Sequence, residues 1–213
     1  MSVKSGIFAA LAALALAGTT LALTTTADAQ PAKPHASSAC GSSCTTISNE
    51  SDGSGWATEA AGTTGVGEGI YIASATNNTA DDFKLLYEGT VEQFYEDGIV
   101  NSVVGENWPT DSVYEYEYAP GGTDSGLCIG ETSLGGALTL QSCGVSAVTC
   151  WIPLSNDELG GYEPLMIATN TVVNTPYVMT APGVFSSVTT AEMTLTTGTF
   201  SPDQMMRDLN GVL

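Results

Sequence analysis

The stretch from Ser125 to Trp151 constrains the fold of this chain more than any other. Cys128 and Cys143 bracket a turn at Gly135-Gly136 and a run of alternating apolar and polar residues. Such alternation is typical of a strand with one buried face, and paired glycines are typical of a tight turn. The stretch therefore predicts one structural unit, made of two strands and a closing segment that ends at the tryptophan.

The rest of the composition favours a β protein. The chain has 213 residues, 43% of them hydrophobic, with 24 Gly and 9 Pro. This length is enough for one domain with a sizeable core. The many Thr, Ser and Val residues are typical of short strands joined by turns. We therefore expect an all-β domain with one or two short helices and local disulfides.

Two local elements can be placed from pattern alone. Thr90 and Gln93 have the spacing of a capping box, which predicts a short helix over residues 91–97 that ends at Gly98. Residues 113–118 alternate strictly and predict a half-buried strand. Its tyrosines, Tyr116 among them, share one face, which we expect to pack in a core. The two glutamates of the other face are interpreted as a solvated edge.

The N-terminus predicts export. One lysine is followed by an Ala/Leu-rich apolar run, and an Ala-Asp-Ala site precedes Gln30, the pattern of a secretory signal peptide. We expect a signal peptide at 1–29, a flexible Pro/Ala/Ser tail at 30–39, and a single domain at 40–213. The mature protein is then secreted and extracellular, with no membrane association after cleavage. Lys33 and His35 make the tail its least acidic part and a predicted partner-binding segment.

Charge and histidine content narrow the function classes. Four Lys and Arg stand against 23 Asp and Glu, a formal net charge of −19, which disfavours nucleic acid and anionic membrane as partners. The single histidine, His35, lies in the tail, so the domain can build neither a Ser-His-Asp nor a Cys-His catalytic arrangement. We predict no cofactor and no metal site. A pair of carboxylates, as in glycoside hydrolases, stays open because acids are many.

All five cysteines follow the predicted cleavage site, so disulfides are the default expectation. Cys40 and Cys44 are close enough for a local ring. Cys128 and Cys143 are plausible partners across two strands. Cys150 is then left over, either as a buried thiol or as an alternative partner for one of the others.

The stretch from Ser125 to Trp151 resembles one repeat of the ricin-B-type β-trefoil. In that family a disulfide ties the first two strands of a repeat, here through Cys128 and Cys143, and a Gln-x-Trp motif closes the repeat. Thr149-x-Trp151 matches the motif in part. The other two degenerate matches are Asp81-x-Phe83 and Gln204-x-Met206. The spacing of these three closures predicts three units of roughly sixty residues, longer than the usual trefoil repeat. The resemblance implies a β-trefoil, with a β-sandwich as the alternative.

The positions that hold sugar in this family are altered. Gly130 stands where an Asp is expected, and Glu131 is the nearest substitute. With Trp151 and Tyr116 it completes the predicted ligand-binding set. The scaffold is thus expected to be retained and the standard sugar site largely lost.

The function predicted from the sequence is a secreted, non-enzymatic binding or adaptor protein that interacts with another extracellular protein. A carbohydrate-binding lectin is the first alternative, and a carboxylate-based extracellular glycoside hydrolase is the second. The mature chain also resembles small secreted actinomycete proteins of obscure function, some of which are linker subunits of toxin particles that carry lectins.

Overall fold

A computed structural model describes residues 44–49, 51, 56–60, 65–74, 79–154, 165–167, 177–193 and 201–208. All of them belong to the compact unit Ala32–Leu213. The predicted signal peptide, the tail with Lys33 and His35, and Cys40 lie outside the described residues. Within the described ranges, neither helix has the length and apolar character needed to cross a bilayer.

The described chain consists mainly of short strands, as the composition predicts. The strands are β1 (Ile47–Asn49), β2 (Trp56–Ala60), β3 (Ile70–Ser74), β4 (Phe83–Thr90), β5 (Ser112–Tyr118), β6 (Leu127–Gly130), β7 (Thr139–Ser142), β8 (Cys150–Pro153), β9 (Leu165–Ile167), β10 (Tyr177–Thr180), β11 (Thr189–Glu192) and β12 (Met206–Asp208). The helices are α1 (Val91–Glu96) and α2 (Ser102–Asn107), both between β4 and β5.

These strands form three units of four, each with the same antiparallel pairing. In the first unit β2 pairs with β3 and β4 pairs with β5. The second unit repeats this with β6–β7 and β8–β9, and the third with β10–β11 and β12–β1. The fourth strand of one unit also pairs with the first strand of the next, as β5 does with β6 and β9 with β10. Strand β1 therefore completes the third unit.

Backbone hydrogen bonds close a cycle through the three units. The amide of Ile70 donates to the carbonyl of Leu138 (3.0 Å), Leu138 donates to Val188 (2.8 Å), and Val188 donates back to Ile70 (2.9 Å). A second set of three bonds also links each unit to another. The amide of Leu140 donates to the carbonyl of Glu68, that of Ile72 to Ser186, and that of Thr190 to Gly136. Such cycles require equivalent positions around one axis. The fold is a β-trefoil, as predicted, and the β-sandwich alternative is excluded.

The three predicted closures meet in one core. Phe83, Trp151 and Met206 occupy the third strand of successive units, are 0%, 0% and 1% exposed, and belong to the same buried cluster. Large apolar side chains at these positions fill the space where the units converge. Each closure therefore keeps a large buried apolar side chain at the last position of the motif, although none has the complete Gln-x-Trp sequence.

The helices form a second core on the outside of the sheet. Helix α1 begins at the predicted capping box, with the Gln93 amide bonded to the Thr90 hydroxyl and the Gln93 side chain bonded back to the Thr90 amide. Helix α2, which the sequence did not predict, is capped by Asn101. Buried residues of both helices pack against β8 and β10 in this second core. The insertion explains why the first unit is longer than the second.

Candidate functional site

The three predicted ligand-binding residues lie in the interior. Glu131, Trp151 and Tyr116 are 3%, 0% and 0% exposed. The Trp151 Nε1 donates a hydrogen bond to the carbonyl of Ile129 (2.9 Å), and Glu131 accepts one from the Thr190 hydroxyl. Burial raises the pKa of Glu131, and the bond from Thr190 opposes that shift. These side chains make internal contacts and present no face to a ligand.

Gly130 shows why the family's aspartate is absent. A Cβ atom at this position would lie 2.5 Å from the carbonyl oxygen of Val148 and 3.0 Å from the Thr149 side chain. An aspartate therefore cannot occupy position 130 unless the backbone before β8 moves. The standard sugar-binding arrangement is sterically blocked in this unit.

Strand β5 carries buried carboxylates where the sequence predicted a solvated edge. Glu115 is 1% exposed and Glu117 is 7% exposed, so that prediction is wrong. β5 pairs with β4, β6 and β8, and connecting segments cover its outer face. Glu117 accepts a hydrogen bond from the Gly126 amide (2.8 Å) and Glu115 accepts one from the Gly144 amide (3.1 Å). The two glutamates anchor the turns on either side of the second unit's first hairpin.

The predicted Cys128–Cys143 disulfide is present, with the two Cα atoms 5.0 Å apart. Cys44 is also disulfide-bonded, while its predicted partner Cys40 lies outside the described residues. Ligand atoms of Glu115, Cys128 and Cys143 all lie within 4.8 Å of one another. A cysteine binds a metal ion through its thiolate, and the sulfur atoms of Cys128 and Cys143 are bonded to each other. This set therefore does not fit a metal ion while the disulfide is intact.

Cys150 is the buried thiol that the sequence left as one of two alternatives. Burial, with smaller contributions from the charges of Glu115 and Glu88, raises the pKa of its thiol to about 12. Because the thiolate is the form that attacks disulfides and alkylating reagents, this cysteine is inert at neutral pH.

A group of buried carboxylates lies in the first unit. Glu59, Asp81 and Asp82 are 3%, 5% and 1% exposed, and Asp82 accepts a hydrogen bond from the Gly121 amide (2.9 Å). Burial, followed by the charges of Asp82 and Glu59, raises the pKa of Asp81 to about 6. The domain therefore holds a proton on this carboxyl that the unfolded chain releases at lower pH.

The raised pKa of Asp81 predicts that the stability of the domain depends on pH. Between the ordinary pKa of 3.8 and the raised value of about 6, the native state binds more protons than the unfolded state, so the contribution of Asp81 falls as pH rises. We expect Asp81→Asn to stabilise the protein relative to wild type by on the order of 1–2 kcal/mol at pH 7 and by little at pH 4. Urea unfolding at pH 4 to 7 measures the difference, with exposed Glu96→Gln as control. A constant difference would contradict it.

Three equivalent turns, one from each unit, surround the pseudo-threefold axis. They are Gly65–Glu68, Ser133–Gly136 and Gly183–Ser186, each between the first two strands of a unit, and we call them the turn ring. Each turn is bonded to the next unit. The Gly67 amide donates to Leu140 O (2.8 Å), Phe185 to Ile72 O (2.7 Å), and Gly135 to the Thr190 hydroxyl (2.9 Å).

The turn ring exposes large apolar side chains. Phe185 is 74% exposed, Val66 is 63% exposed and Val184 is 38% exposed. Leu134, which is equivalent to Val66 and Val184 in the second unit, packs partly against the core. Glu68 is the one charged residue of the three turns. In a chain of net charge −19, exposed apolar side chains on nearly uncharged turns make the turn ring the candidate interaction surface among the described residues.

Phe185 is also held in an unfavourable backbone conformation. Its φ angle is 60°, and the equivalent residues are glycines, Gly67 at 91° and Gly135 at 76°. A non-glycine residue with left-handed backbone costs about 1–2 kcal/mol, and such strain concentrates at functional sites. Glycine adopts this backbone conformation without strain in the other two units, and the Phe185 side chain is too exposed to contribute to the core.

Sequence reasoning did not single out Phe185. The match of residues 127–142 with residues 177–192 comes from the structure, in which strands β6–β7 and β10–β11 share the same burial patterns. That register aligns Phe185 with Gly135, and no sequence pattern along the chain indicated it.

Comparison with known proteins supports the fold. No family model and no curated protein matches this sequence. The crystal structure of a designed 3-fold symmetric protein, ThreeFoil, is similar with a TM-score of 0.53 and 14% identity, over 78% of this chain and 97% of that chain. A mosquitocidal holotoxin is similar with a TM-score of 0.53 and 8% identity, over 78% of this chain and 17% of the toxin. At these identities the likeness establishes the architecture alone, and the chain is a β-trefoil.

Proposed function

We propose that this protein is a secreted, non-enzymatic binding or adaptor protein that recognises another extracellular protein through the turn ring. The observation that carries the proposal is Phe185, an aromatic ring that is 74% exposed and held at a position where the other two units have glycine. Secretion rests on the predicted signal peptide. The non-enzymatic role rests on the absence of any histidine from residues 40–213.

Phe185 has the properties of an interface anchor. Full burial of a phenylalanine side chain contributes about 1.5–3 kcal/mol, and aromatic anchors in partner pockets dominate many interfaces. Its amide is fixed by the bond to Ile72, so little backbone freedom is lost on binding. Val184, its neighbour in the chain, and Val66, in the equivalent turn of the first unit, are further exposed apolar residues of the turn ring.

The charge of the chain argues against a second copy as the occupant. Two chains of net charge −19 repel each other, and apolar contact of modest area does not overcome a strong like-charge field. Only one of the three turns carries an aromatic ring. The occupant is therefore a different protein, neutral or basic at its contact surface, with one apolar pocket and bound once per chain. The tail with Lys33 and His35 remains a predicted second contact.

A lectin function is disfavoured by the burial of Glu131, Trp151 and Tyr116 and by the block at Gly130. Some of the small secreted proteins that the mature chain resembles are linker subunits of toxin particles, which supports an adaptor role by analogy. The glycoside hydrolase alternative rests only on the large number of acidic residues. The same number is expected if the acidic surface simply keeps an exported protein in solution.

Phe185→Gly separates binding from folding. Glycine adopts the φ angle freely, so the free energy of unfolding is expected to stay equal or to rise by about 1 kcal/mol, while partner binding weakens at least about tenfold. The measurement is quantitative capture of the native partner from culture medium by immobilised protein, beside thermal unfolding. Tyr87→Thr, which removes another exposed aromatic residue (60% exposed), is the matched control and should retain the partner.

Two results would overturn the proposal. One is capture of the same proteins in equal amounts by wild type and Phe185→Gly. The other is recovery of the native protein as a lone monomer, with no co-purifying protein. Saturable binding to a glycan array that survives Phe185→Gly would favour the lectin alternative instead.

A further inference from the structure

A second turn repeats the combination that singles out Phe185. Among the described residues, Val145 and Phe185 are the two non-glycine residues with positive φ, and Val145 has a φ of 34°. Positive φ is a marked outlier for a β-branched residue. Val145 is 45% exposed, and Val148 in the same turn is 44% exposed. Both non-glycine residues with positive φ in the described chain are therefore exposed large apolar residues.

This turn, residues Gly144–Thr149, is called the valine turn and is rigidly built. The Gly144 amide and the Thr149 hydroxyl both donate to the buried carboxylate of Glu115, and the Thr149 amide donates to the carbonyl of Ser146 (3.1 Å). The disulfide of Cys143 fixes its first end. A surface held in this way loses little conformational freedom when it binds.

The valine turn is a separate place from the turn ring. Gly136 of the turn ring precedes β7, and Gly144 of the valine turn follows it. A four-residue strand is about 13 Å long. The two turns lie at opposite ends of that strand, and one small contact cannot cover both.

The charges beneath the valine turn indicate what would bind it. Glu115 lies directly under the turn, and Glu88 is near enough for its pKa to be raised partly by the charge of Glu115, after the larger effect of burial. Neither carboxylate has a hydrogen-bonded Lys or Arg partner among the interactions described for it, and the chain carries four Lys and Arg in all. Apolar side chains fit the valines, while the negative potential favours a cation beside them.

We propose that the valine turn is a second docking surface, which binds a partner segment in which apolar side chains stand next to Lys or Arg. The surface is inferred independently of the turn ring. The consequence that one chain bridges two partners rests also on the proposed function.

The test uses three synthetic peptides of equal length as probes: alternating Leu and Lys, alternating Ser and Lys, and alternating Leu and Glu. Isothermal titration calorimetry measures their affinity for wild type, Val145→Gly/Val148→Thr and Phe185→Gly. We expect the Leu/Lys peptide to bind wild type and Phe185→Gly equally and to bind the double valine variant at least about tenfold more weakly. The other two peptides should bind wild type at least about tenfold more weakly than the Leu/Lys peptide.

Each other outcome is informative. Equal affinity of the Leu/Lys and Ser/Lys peptides, or an unchanged affinity in the double variant, would mean adsorption to net charge and would overturn the second surface. Loss of binding only in Phe185→Gly would assign the peptide to the turn ring, which overturns the second surface and leaves the proposed function standing. Because glycine relieves the strain at position 145, a midpoint of thermal unfolding at or above that of wild type excludes misfolding as the cause of lost binding.

Discussion

Replacing Trp151 with alanine is expected to lower the free energy of unfolding by about 3–5 kcal/mol, the usual cost of emptying a buried aromatic site. The indole is 0% exposed in the cluster where the three units meet, beside Phe83 and Met206. The substitution opens a cavity there and leaves the carbonyl of Ile129 without its 2.9 Å donor. Both losses act on the native state, because the unfolded chain solvates the same groups.

Urea or guanidinium unfolding measures this effect, and Trp151→Phe is the matched control. Phenylalanine keeps most of the apolar volume but cannot donate to Ile129, so a smaller loss of about 1–3 kcal/mol is expected for an unsatisfied buried carbonyl. A loss below about 1 kcal/mol for Trp151→Ala would show that position 151 is not at the centre of the core.

Removing the disulfide is expected to have the second-largest effect. The double substitution Cys128→Ala/Cys143→Ala should lower the free energy of unfolding by about 3 kcal/mol, because the bond closes a loop with a sequence separation of 15 and restricts the unfolded chain. The valine turn follows Cys143 directly, so without the disulfide its position depends on hydrogen bonds, those to Glu115 among them. Unfolding curves of the double variant and wild type, both without reductant, provide the measurement.

The double variant is preferable to a single one because a lone Cys128 could pair with Cys150 after unfolding. Cys150→Ala tests whether the effect belongs to the disulfide. It removes one sulfur atom from the second core and should lower the free energy of unfolding by about 1 kcal/mol, the cost of a small cavity. Disulfide mapping that links Cys128 to Cys150 in the wild type, or a loss below about 1 kcal/mol in the double variant, would contradict the assignment.

The strained turns connect stability with the proposed role. Phe185 and Val145 both have left-handed backbone, and in both turns a glycine would relieve the strain. A chain selected for stability alone would be expected to carry glycine at these two positions. Opposite changes in stability and binding, measured on the same two variants, are therefore the most direct test that these turns serve recognition.

Much of the fold was predictable because it depends on local pattern. The capping box at Thr90 placed α1, and strict alternation placed β5. The stretch from Ser125 to Trp151 predicted a strand, a glycine turn, a second strand and a buried closure. Helix α2 was missed, because its six residues include Gly105 and lack an amphipathic period.

The buried carboxylates and the exposed surfaces were not predictable from local pattern. Glu115 and Glu117 alternate with tyrosines exactly as a solvated edge would, and what buries them comes from segments further along the chain, around Gly126 and Gly144. In the same way, the chemistry of Glu131 and Trp151 suggested a ligand site, while the contacts with Thr190 and Ile129 place both inside.

The sequence by itself determined that the chain forms short strands closed by apolar residues, because alternation and turn residues act over a few neighbours. It left the pairing of the cysteines open. Only the tertiary structure decided which side chains face the solvent. Three units of unequal length had to close their hydrogen bonds around one axis before Gly67, Gly135 and Phe185 became equivalent. Burial and the sign of φ at a turn depend on that closure, and so the exposed ring of Phe185 is a property of the assembled trefoil.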